Sequence, residues 1–295
     1  WPVVNNGPIM EELGRRRLRT FDNDWSKVPD GSIVLFSAHG VTPEHYRIAQ
    51  EKSAHVIDTT CLLVTKVHNL VLGAANEGRG VAYIGVDGHP ETMGVLGELD
   101  AIGKKRGQDY LLIQDPKDLA SEEFRGVMGA GENWVVYSQT TLMPDEVIEV
   151  ETTAGQGYPD IYIPDRLGIC YATYNRQKAV EDLIERGVEL LLVVGSPGSH
   201  NSQMLRRKGE RSRIPSYSLD RPDELNKAWF SNSKIVGITS GASVLDRFMD
   251  PVAKWIHERS SGATLSYTEQ IKHESVDATF PLPQAEIDAL RARWA

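Results

Sequence analysis

The stretch His55-Val-Ile-Asp-Thr-Thr-Cys-Leu-Leu-Val-Thr-Lys-Val-His68 contains the pattern that decides the fold. Its first four residues form a short run with β-branched side chains, which predicts a strand over His55–Asp58. Valines at helical spacing follow, and they predict a helix over Leu63–Asn76. A polar cluster that ends in Cys61 separates the two elements. This order of strand, polar cluster and helix indicates an α/β fold with parallel sheets.

The same alternation recurs along the chain and predicts further strands and helices. The predicted strands are Ser32–Phe36, His55–Asp58, Val81–Gly85, Tyr110–Ile113, Trp134–Tyr137, Leu190–Val194 and Ile235–Thr239. The predicted helices are Pro43–Lys52, Leu63–Asn76, Thr173–Arg186, His200–Lys208 and Val244–Arg259. We expect Pro251 to kink or divide the last helix, since proline removes a backbone donor.

Shorter signals predict where elements begin and end. Asp115-Pro116 and Arg221-Pro222 predict helix entries that follow strands. The run Ala154–Pro159 contains two glycines and a proline and predicts a loop between compact units. The 295 residues are enough for two or three such units.

Composition excludes several classes of protein. The net charge of −9 argues against nucleic acid as a general partner, because phosphate backbones need a basic face. No apolar run reaches the roughly 20 residues that span a bilayer, and no signal peptide is evident, so we expect a cytoplasmic protein. Two cysteines are too few for a disulfide framework. The sequence opens at Trp1 and not at methionine, which suggests that a natural N-terminal segment is missing.

Every predicted strand but one ends in a small polar cluster, and a loop before a helix adds another. The clusters are Ser37–Gly40, Asp58–Cys61, Asp87–Glu91, Ser138–Thr141, Gly168–Thr173, Gly195–Ser202 and Thr239–Ser243. Ligands of open α/β sheets bind outside the carboxyl ends of the strands. The clusters therefore predict one composite site.

Two of these clusters have the composition of an anion site. Gly195–Ser202 and Thr239–Ser243 offer backbone N–H groups, hydroxyls and the positive end of a helix dipole. The alternative for each loop alone is ordinary helix capping, since Ser and Asn are favoured caps. His39 and His89 at neighbouring strand ends favour a phosphate or diphosphate pocket. The Gly-Lys-Ser/Thr ending of a nucleotide-hydrolysing loop is absent.

The cysteines and an acidic residue are candidates for chemistry. Cys61 and Cys170 each follow a strand and precede a helix, a position that lowers the pKa of a thiol and favours metal binding by the thiolate. The alternative is a small buried apolar side chain. Glu91 beside His89 is placed for proton delivery, and Thr140 could position a substrate hydroxyl. For these two, a helix-terminal acid and a threonine cap are the structural alternatives.

Long motifs in the chain closely resemble the 4-hydroxy-3-methylbut-2-enyl diphosphate reductase (LytB-type) family. They are Phe36–Val41, Asp58–His68, Gly88–Glu91, Ser138–Leu142, Ile169–Gln177, Val193–Ser196, Ser199–Ser202, Val236–Ser243 and Phe280–Pro283. They occur in the family order over nearly the whole chain, so the resemblance is specific.

The resemblance implies a fold and a reaction. The family fold is a trefoil of three α/β units with mostly parallel sheets around a central site. The matching division here is 1–60 (N-terminally incomplete), 61–168 and 169–264, followed by an extended tail over 265–295. The implied reaction is the reductive dehydroxylation of an allylic alcohol diphosphate to isopentenyl and dimethylallyl diphosphates, the terminal step of the methylerythritol phosphate pathway. The resemblance also implies a [4Fe-4S] cluster on three cysteines and ferredoxin or flavodoxin as electron donor, and it leaves the oligomeric state open.

Site residues follow from the same motifs. The resemblance implies Cys61 and Cys170 as cluster ligands, Glu91 as proton donor and Thr140 as the residue that orients the substrate hydroxyl. The predicted substrate-binding set is Asn5, His39, His89, Thr173, Ser199, His200, Asn201 and Ser243.

The sequence departs from the family pattern at three places. The third cluster cysteine, in a Gly-Phe-Cys-Ala-Gly motif, is not in this sequence. Asn5 stands where the family has a phosphate-binding histidine, and His200 stands where the family has a serine. A histidine at position 5 could carry a positive charge, which Asn5 cannot. His200 could supply that charge instead. Three interpretations follow: a reductase that lacks its N-terminal segment, a diverged paralogue with another hydroxylated substrate, and a diphosphate-binding protein without a cluster.

Overall fold

The structure, a computed structural model, describes residues 2–129, 132–164 and 168–259. The strands are β1 (Ile33–Phe36), β2 (His55–Asp58), β3 (Gly80–Ile84), β4 (Tyr110–Ile113), β5 (Trp134–Ser138), β6 (Leu190–Val194), β7 (Ser216–Leu219) and β8 (Val236–Ser240). The helices are α1 (Gly7–Arg15), α2 (Pro43–Glu51), α3 (Leu62–Asn76), α4 (Pro90–Ala101), α5 (Glu122–Met128), α6 (Pro144–Gly157), α7 (Tyr171–Glu185), α8 (His200–Arg211) and α9 (Met249–Arg259). Short 3-10 helices cover Trp25–Lys27, Pro116–Ala120, Pro222–Glu224, Lys227–Phe230 and Asp246–Phe248.

The described strands form three separate sheets. β1 pairs with β2, and the other two sheets have the orders β4-β3-β5 and β7-β6-β8. All pairs are parallel, so the strands of each sheet end at the same edge. The predicted α/β fold with parallel sheets is thus confirmed. The predicted unit boundaries stay predictions, and the predicted tail over 265–295 lies outside the described residues.

Each larger sheet is built around its first strand in the chain. All five residues of β6 are buried, which is typical of a strand covered by helices on both faces. One side of β6 packs on α9 through Leu192 and Val194, while Leu191 and Val193 pack with Val180 and Leu205 of α7 and α8. This two-sided burial explains the continuous apolar runs in the sequence and fixes the positions of the strand ends.

One close contact in the middle sheet leads to a stability prediction. A Cβ added at Gly80 would lie 2.4 Å from indole atoms of Trp134, its register partner on β5. We expect Gly80→Ala to lower the free energy of unfolding by about 1–3 kcal/mol, since a packed core resists added volume. Urea denaturation measures this. Gly73→Ala is the control, because nothing lies within 4 Å of its added Cβ on α3. Equal stability of the two variants would contradict the prediction.

Several elements differ from the sequence predictions. The predicted loop over Ala154–Pro159 is wrong, because α6 continues to Gly157. The predicted helix over Val244–Arg259 is in fact a 3-10 turn followed by α9, and Pro251 is the third residue of α9, where its missing N–H disrupts nothing. Helices α1, α4, α5 and α6 and strand β7 were not predicted.

The predicted helix entries are confirmed as short 3-10 helices. Asp115 accepts a hydrogen bond from the backbone N–H of Lys117 and caps the turn that Pro116 begins. Pro222 begins the second such turn. Across residues 2–129, 132–164 and 168–259, none of the helices has the length and apolar character that crossing a membrane requires.

Candidate active site

Both cysteines lie immediately before the first turn of a helix. Cys61 is the N-cap residue of α3 and Cys170 that of α7, and both are half-buried free thiols. The backbone N–H of Cys61 donates to the carbonyl of Ala38 (3.0 Å), and that of Cys170 donates to the carbonyl of Thr140 (2.8 Å). Each cysteine is therefore held by its backbone to another strand-end cluster.

The Cys170 thiol is less acidic than expected. Burial raises its pKa, although backbone N–H groups of Thr173 and Ala172 act in the other direction. Cys61 and Glu91 raise the pKa of Cys170 further, which places all three groups within electrostatic range. The prediction of a lowered thiol pKa is wrong at Cys170, because desolvation outweighs the helix terminus.

The metal site predicted at the cysteines has two candidate ligands, Cys61 and Cys170, in this chain. Among the described residues, no group of three or more His, Cys, Asp or Glu side chains is arranged to hold a metal ion. Cys61 and Cys170 lie within electrostatic range of each other, and both are thiols of the kind that iron–sulfur clusters use. They fit as part of a cluster's ligand set, and a third cysteine would have to come from outside this sequence.

Glu91 and Thr140 form a closed hydrogen-bonded pair. The backbone N–H of Thr140 donates to Glu91 Oε1 (2.7 Å), and Thr140 Oγ1 donates to Oε2 (2.9 Å). Glu91 is fully buried in the first turn of α4. Burial raises the pKa of Glu91 to about 7, although the two bonds from Thr140 favour the ionised form. A carboxyl group with this pKa can both give and take a proton near neutral pH.

Gln139 holds this pair in place, and the sequence analysis missed it. Its Oε1 accepts hydrogen bonds from the backbone N–H of Val86 and from Thr92 Oγ1, both at 3.0 Å. Its Nε2 donates to Thr141 Oγ1 at 2.7 Å. Gln139 thereby joins the end of β3, helix α4 and the end of β5. The feature of the sequence that could have identified Gln139 was its position inside the polar cluster Ser138–Thr141.

Three histidines from three different strand ends lie in a row. The ring centroids of His39 and His89 are 5.6 Å apart, and those of His89 and His200 are also 5.6 Å apart. Asn5 Nδ2 lies 3.4 Å from His39 Nε2. Burial lowers the pKa of His39 and of His200, and burial together with both neighbours lowers the pKa of His89 to about 3. The free protein therefore holds three neutral rings at this position.

The start of α8 presents buried polar atoms without protein partners. Ser199 caps the helix by accepting from the backbone N–H of Ser202. Both amide atoms of Asn201, which is 7% exposed, lack a partner within the described part of the chain, as does the hydroxyl of Ser240. Unpaired buried polar groups are costly, so they indicate a site that a polar ligand completes.

The two remaining predicted residues, Thr173 and Ser243, differ in burial and in their contacts. Thr173 is buried beside Cys170. Ser243 has an exposed side chain, and its carbonyl accepts a hydrogen bond from Asn6 Nδ2 at 3.2 Å. Asn6 also caps α1 through Ile9 N–H, so it ties the first segment to the end of β8. Sequence analysis did not single out Asn6.

The model of the family described as LytB protein matches residues 1–257. The chain belongs to the LytB family. The 4-hydroxy-3-methylbut-2-enyl diphosphate reductase of Acinetobacter baumannii is 37% identical over 282 residues, covering 96% of this chain and 85% of that protein. The enzyme of the same name from Nitrosomonas europaea is 35% identical over 292 residues, with the same coverage.

Solved structures of LytB-family reductases also match this chain. The structure of the E-1-hydroxy-2-methyl-but-2-enyl-4-diphosphate reductase of Plasmodium falciparum superposes with a TM-score of 0.85 at 26% identity, over 100% of this chain and 88% of that one. A second structure, of (E)-4-hydroxy-3-methyl-but-2-enyl diphosphate reductase, described as the terminal enzyme of the non-mevalonate pathway, matches with a TM-score of 0.58 at 26% identity, over 87% and 86% of the two chains. These matches confirm the predicted family and its three-unit α/β fold.

Proposed function

We propose that this LytB-family protein is a cytoplasmic reductase that converts 4-hydroxy-3-methylbut-2-enyl diphosphate to isopentenyl and dimethylallyl diphosphates. Two electrons and two protons enter, the carbon–oxygen bond to the hydroxyl breaks, and water leaves. The observation that carries the proposal is the buried Glu91–Thr140 pair, whose backbone is hydrogen-bonded to Cys170. A proton donor at Glu91 would then act close to Cys170. The relatives of the same name support the choice of substrate.

Cys61 and Cys170 would hold one side of a [4Fe-4S] cluster. When bound, such a cluster supplies electrons and, at an iron without a cysteine ligand, a Lewis acid for the hydroxyl. We propose ferredoxin or flavodoxin as the source of the electrons. This sequence holds only these two cysteines, so the third ligand of the family pattern is not among its residues.

Glu91 would deliver a proton, and Thr140 would hold the group that receives it. The carboxyl exists in both protonation states near neutral pH because burial brings its pKa to about 7. Once Glu91 is protonated, its own O–H can donate to Thr140 Oγ1, which frees the threonine hydroxyl to donate to a substrate oxygen. The pair can therefore orient a hydroxyl and protonate it as it leaves.

The diphosphate would lie against the histidine row and the start of α8, where His200 belongs to both. His39, His89 and His200 supply ring nitrogens, and Ser199 and Asn201 supply polar atoms at a helix N-terminus. Asn5, Thr173 and Ser243 complete the proposed set; Asn5 acts on His39, and Ser243 contributes from the end of β8.

Anaerobic purification followed by an assay with dithionite and a viologen dye tests the proposal. We expect a brown protein that contains iron and consumes 4-hydroxy-3-methylbut-2-enyl diphosphate. A colourless, iron-free preparation that still binds inorganic pyrophosphate would instead support a diphosphate-binding protein without catalysis. An iron-containing preparation that leaves this substrate unchanged would support a paralogue with another substrate, which the substitutions at Asn5 and His200 favour.

A further inference from the structure

Hydrogen bonds place the ring protons of His89 and His200 on different nitrogens. Nδ1 of His89 lies 3.2 Å from the backbone N–H of Glu91, which can only donate, so the neutral ring carries its proton on Nε2. Nδ1 of His200 lies 3.3 Å from the carbonyl oxygen of Thr141, which can only accept, so that ring carries its proton on Nδ1. The two adjacent rings therefore have opposite tautomers.

Opposite tautomers give the two rings different properties toward an anion. Neutral His89 has a free Nε2–H that can donate to a phosphate oxygen. Neutral His200 has a lone pair at Nε2, and a lone pair repels a phosphate oxygen. His200 can donate to an anion through Nε2 only after that nitrogen has taken up a second proton, because its Nδ1–H is already engaged by Thr141.

We propose that His200 takes up one proton when a diphosphate binds and contacts the anion as an imidazolium. The inference rests on the proposed function, since it concerns the same diphosphate site. It assigns His200 a role distinct from that of His89, which donates without protonation. It also gives a physical account of Asn5, an amide that holds His39 without supplying charge. The positive charge that binds the diphosphate then comes from His200 at the start of α8.

The surroundings of His200 allow this change of charge. His89, at the N-cap of α4, faces it on one side, and His39 lies beyond His89. Burial and Arg207 of its own helix lower the pKa of His200, whereas the hydrogen bond to the Thr141 carbonyl and Glu146 of α6 raise it. Burial is the largest of these effects, so the ring is neutral in the free protein. A diphosphate adds negative charge at Nε2 and favours the imidazolium.

Isothermal titration calorimetry with inorganic pyrophosphate tests the proposal on the full chain. Titrations near pH 7.5 in buffers of different ionisation enthalpy give the number of protons taken up on binding. We expect the wild type to take up about one proton more than His200→Ser or His200→Gln, whose side chains do not titrate. His55→Gln, at an exposed histidine on β2, should match the wild type. The protonation of pyrophosphate itself is common to all variants and cancels in the difference.

The affinity for pyrophosphate should show the same coupling between anion binding and proton uptake by His200. We expect His200→Ser to bind pyrophosphate about tenfold more weakly at pH 7, the loss of one charge-assisted hydrogen bond. Above the pKa of the free ring, wild-type affinity should fall with rising pH more steeply than that of His200→Gln, because only the wild type must bind a proton. The neutral amide of glutamine can still donate, so this variant also controls for a local loss of structure.

Nuclear magnetic resonance of ¹⁵N-labelled histidines gives an independent readout in the wild type. In the pyrophosphate complex, both ring nitrogens of His200 should be protonated, and His89 should keep its proton on Nε2. Pyrophosphate binding with equal proton uptake in wild type and both His200 variants would overturn the inference and leave the proposed function standing. No pyrophosphate binding by the wild type would overturn the diphosphate site and the inference with it.

Discussion

Glu91→Gln should lower the turnover of 4-hydroxy-3-methylbut-2-enyl diphosphate by about 10²–10⁴-fold, the usual contribution of a positioned general acid. Glutamine has nearly the same shape and can keep both contacts with Thr140: its carbonyl oxygen accepts the backbone N–H and its amide donates to Oγ1. It cannot release a proton. Steady-state kinetics with a reduced viologen dye measure the loss of kcat, and calorimetry should show pyrophosphate affinity within about threefold of the wild type, since no proposed diphosphate ligand has changed.

Glu98→Gln is the matched control for this loss. Glu98 lies on the same helix and is partly buried, but its carboxylate faces His68 at 3.8 Å and not Thr140. Its substitution removes the same charge and should leave kcat within a factor of about three. Wild-type turnover by Glu91→Gln would exclude Glu91 as the proton donor. A loss of pyrophosphate binding in Glu91→Gln would point instead to a structural role.

The strands could be predicted because they are short apolar runs, which burial on both faces explains for β4 and β6, whereas β2 is only partly buried. β2, β4 and β6 have the predicted bounds, and each is a short run of mostly apolar, often β-branched residues. Because the chain alternates such runs with helices, a parallel topology followed, and it brings the strand ends to one edge of each sheet. This is why polar clusters far apart in sequence could be expected to meet.

Two of the missed elements, α4 and β7, lack a regular pattern. α4 is apolar on several sides and contains Gly94 and Gly97, where an added Cβ would meet His68 at 3.2 Å and Thr42 at 2.7 Å. Because α4 approaches its neighbours closely on more than one side, no amphipathic stripe signals the helix. Strand β7 reads Ser-Tyr-Ser-Leu and lies at the edge of its sheet, where half-exposed polar residues are tolerated.

The site could be predicted as a set of residues but not as a geometry. Sequence patterns placed Glu91 and Thr140 at neighbouring strand ends, yet the two hydrogen bonds between them depend on how Gln139 joins β5 to α4. The same limit applies to Cys170. A helix N-terminus is visible in the sequence, whereas the burial that raises the pKa of its thiol depends on tertiary packing.

Glu91→Gln should also stabilise the iron-free protein, and increasingly so as the pH rises from 5 to 8. The carboxyl titrates near 4.5 when unfolded and near 7 when folded, because burial disfavours its charge. Between these values the unfolded chain has lost the proton that the native chain retains, so wild-type stability falls with rising pH, and it levels off above pH 7. A shift from 4.5 to about 7 corresponds to a cost on the order of 3 kcal/mol. Glutamine does not ionise and avoids this cost.

Urea denaturation of both proteins at intervals between pH 5 and pH 8 measures the effect. At pH 5 their free energies of unfolding should nearly coincide, because a protonated glutamic acid and a glutamine present similar groups to Thr140; at pH 8 the variant should be more stable by about 2–3 kcal/mol. Glu185→Gln removes one negative charge from the exposed end of α7 and controls for net charge. A constant difference between Glu91→Gln and the wild type across this range would show that Glu91 is ionised throughout, and a proton donor with a raised pKa would then be excluded.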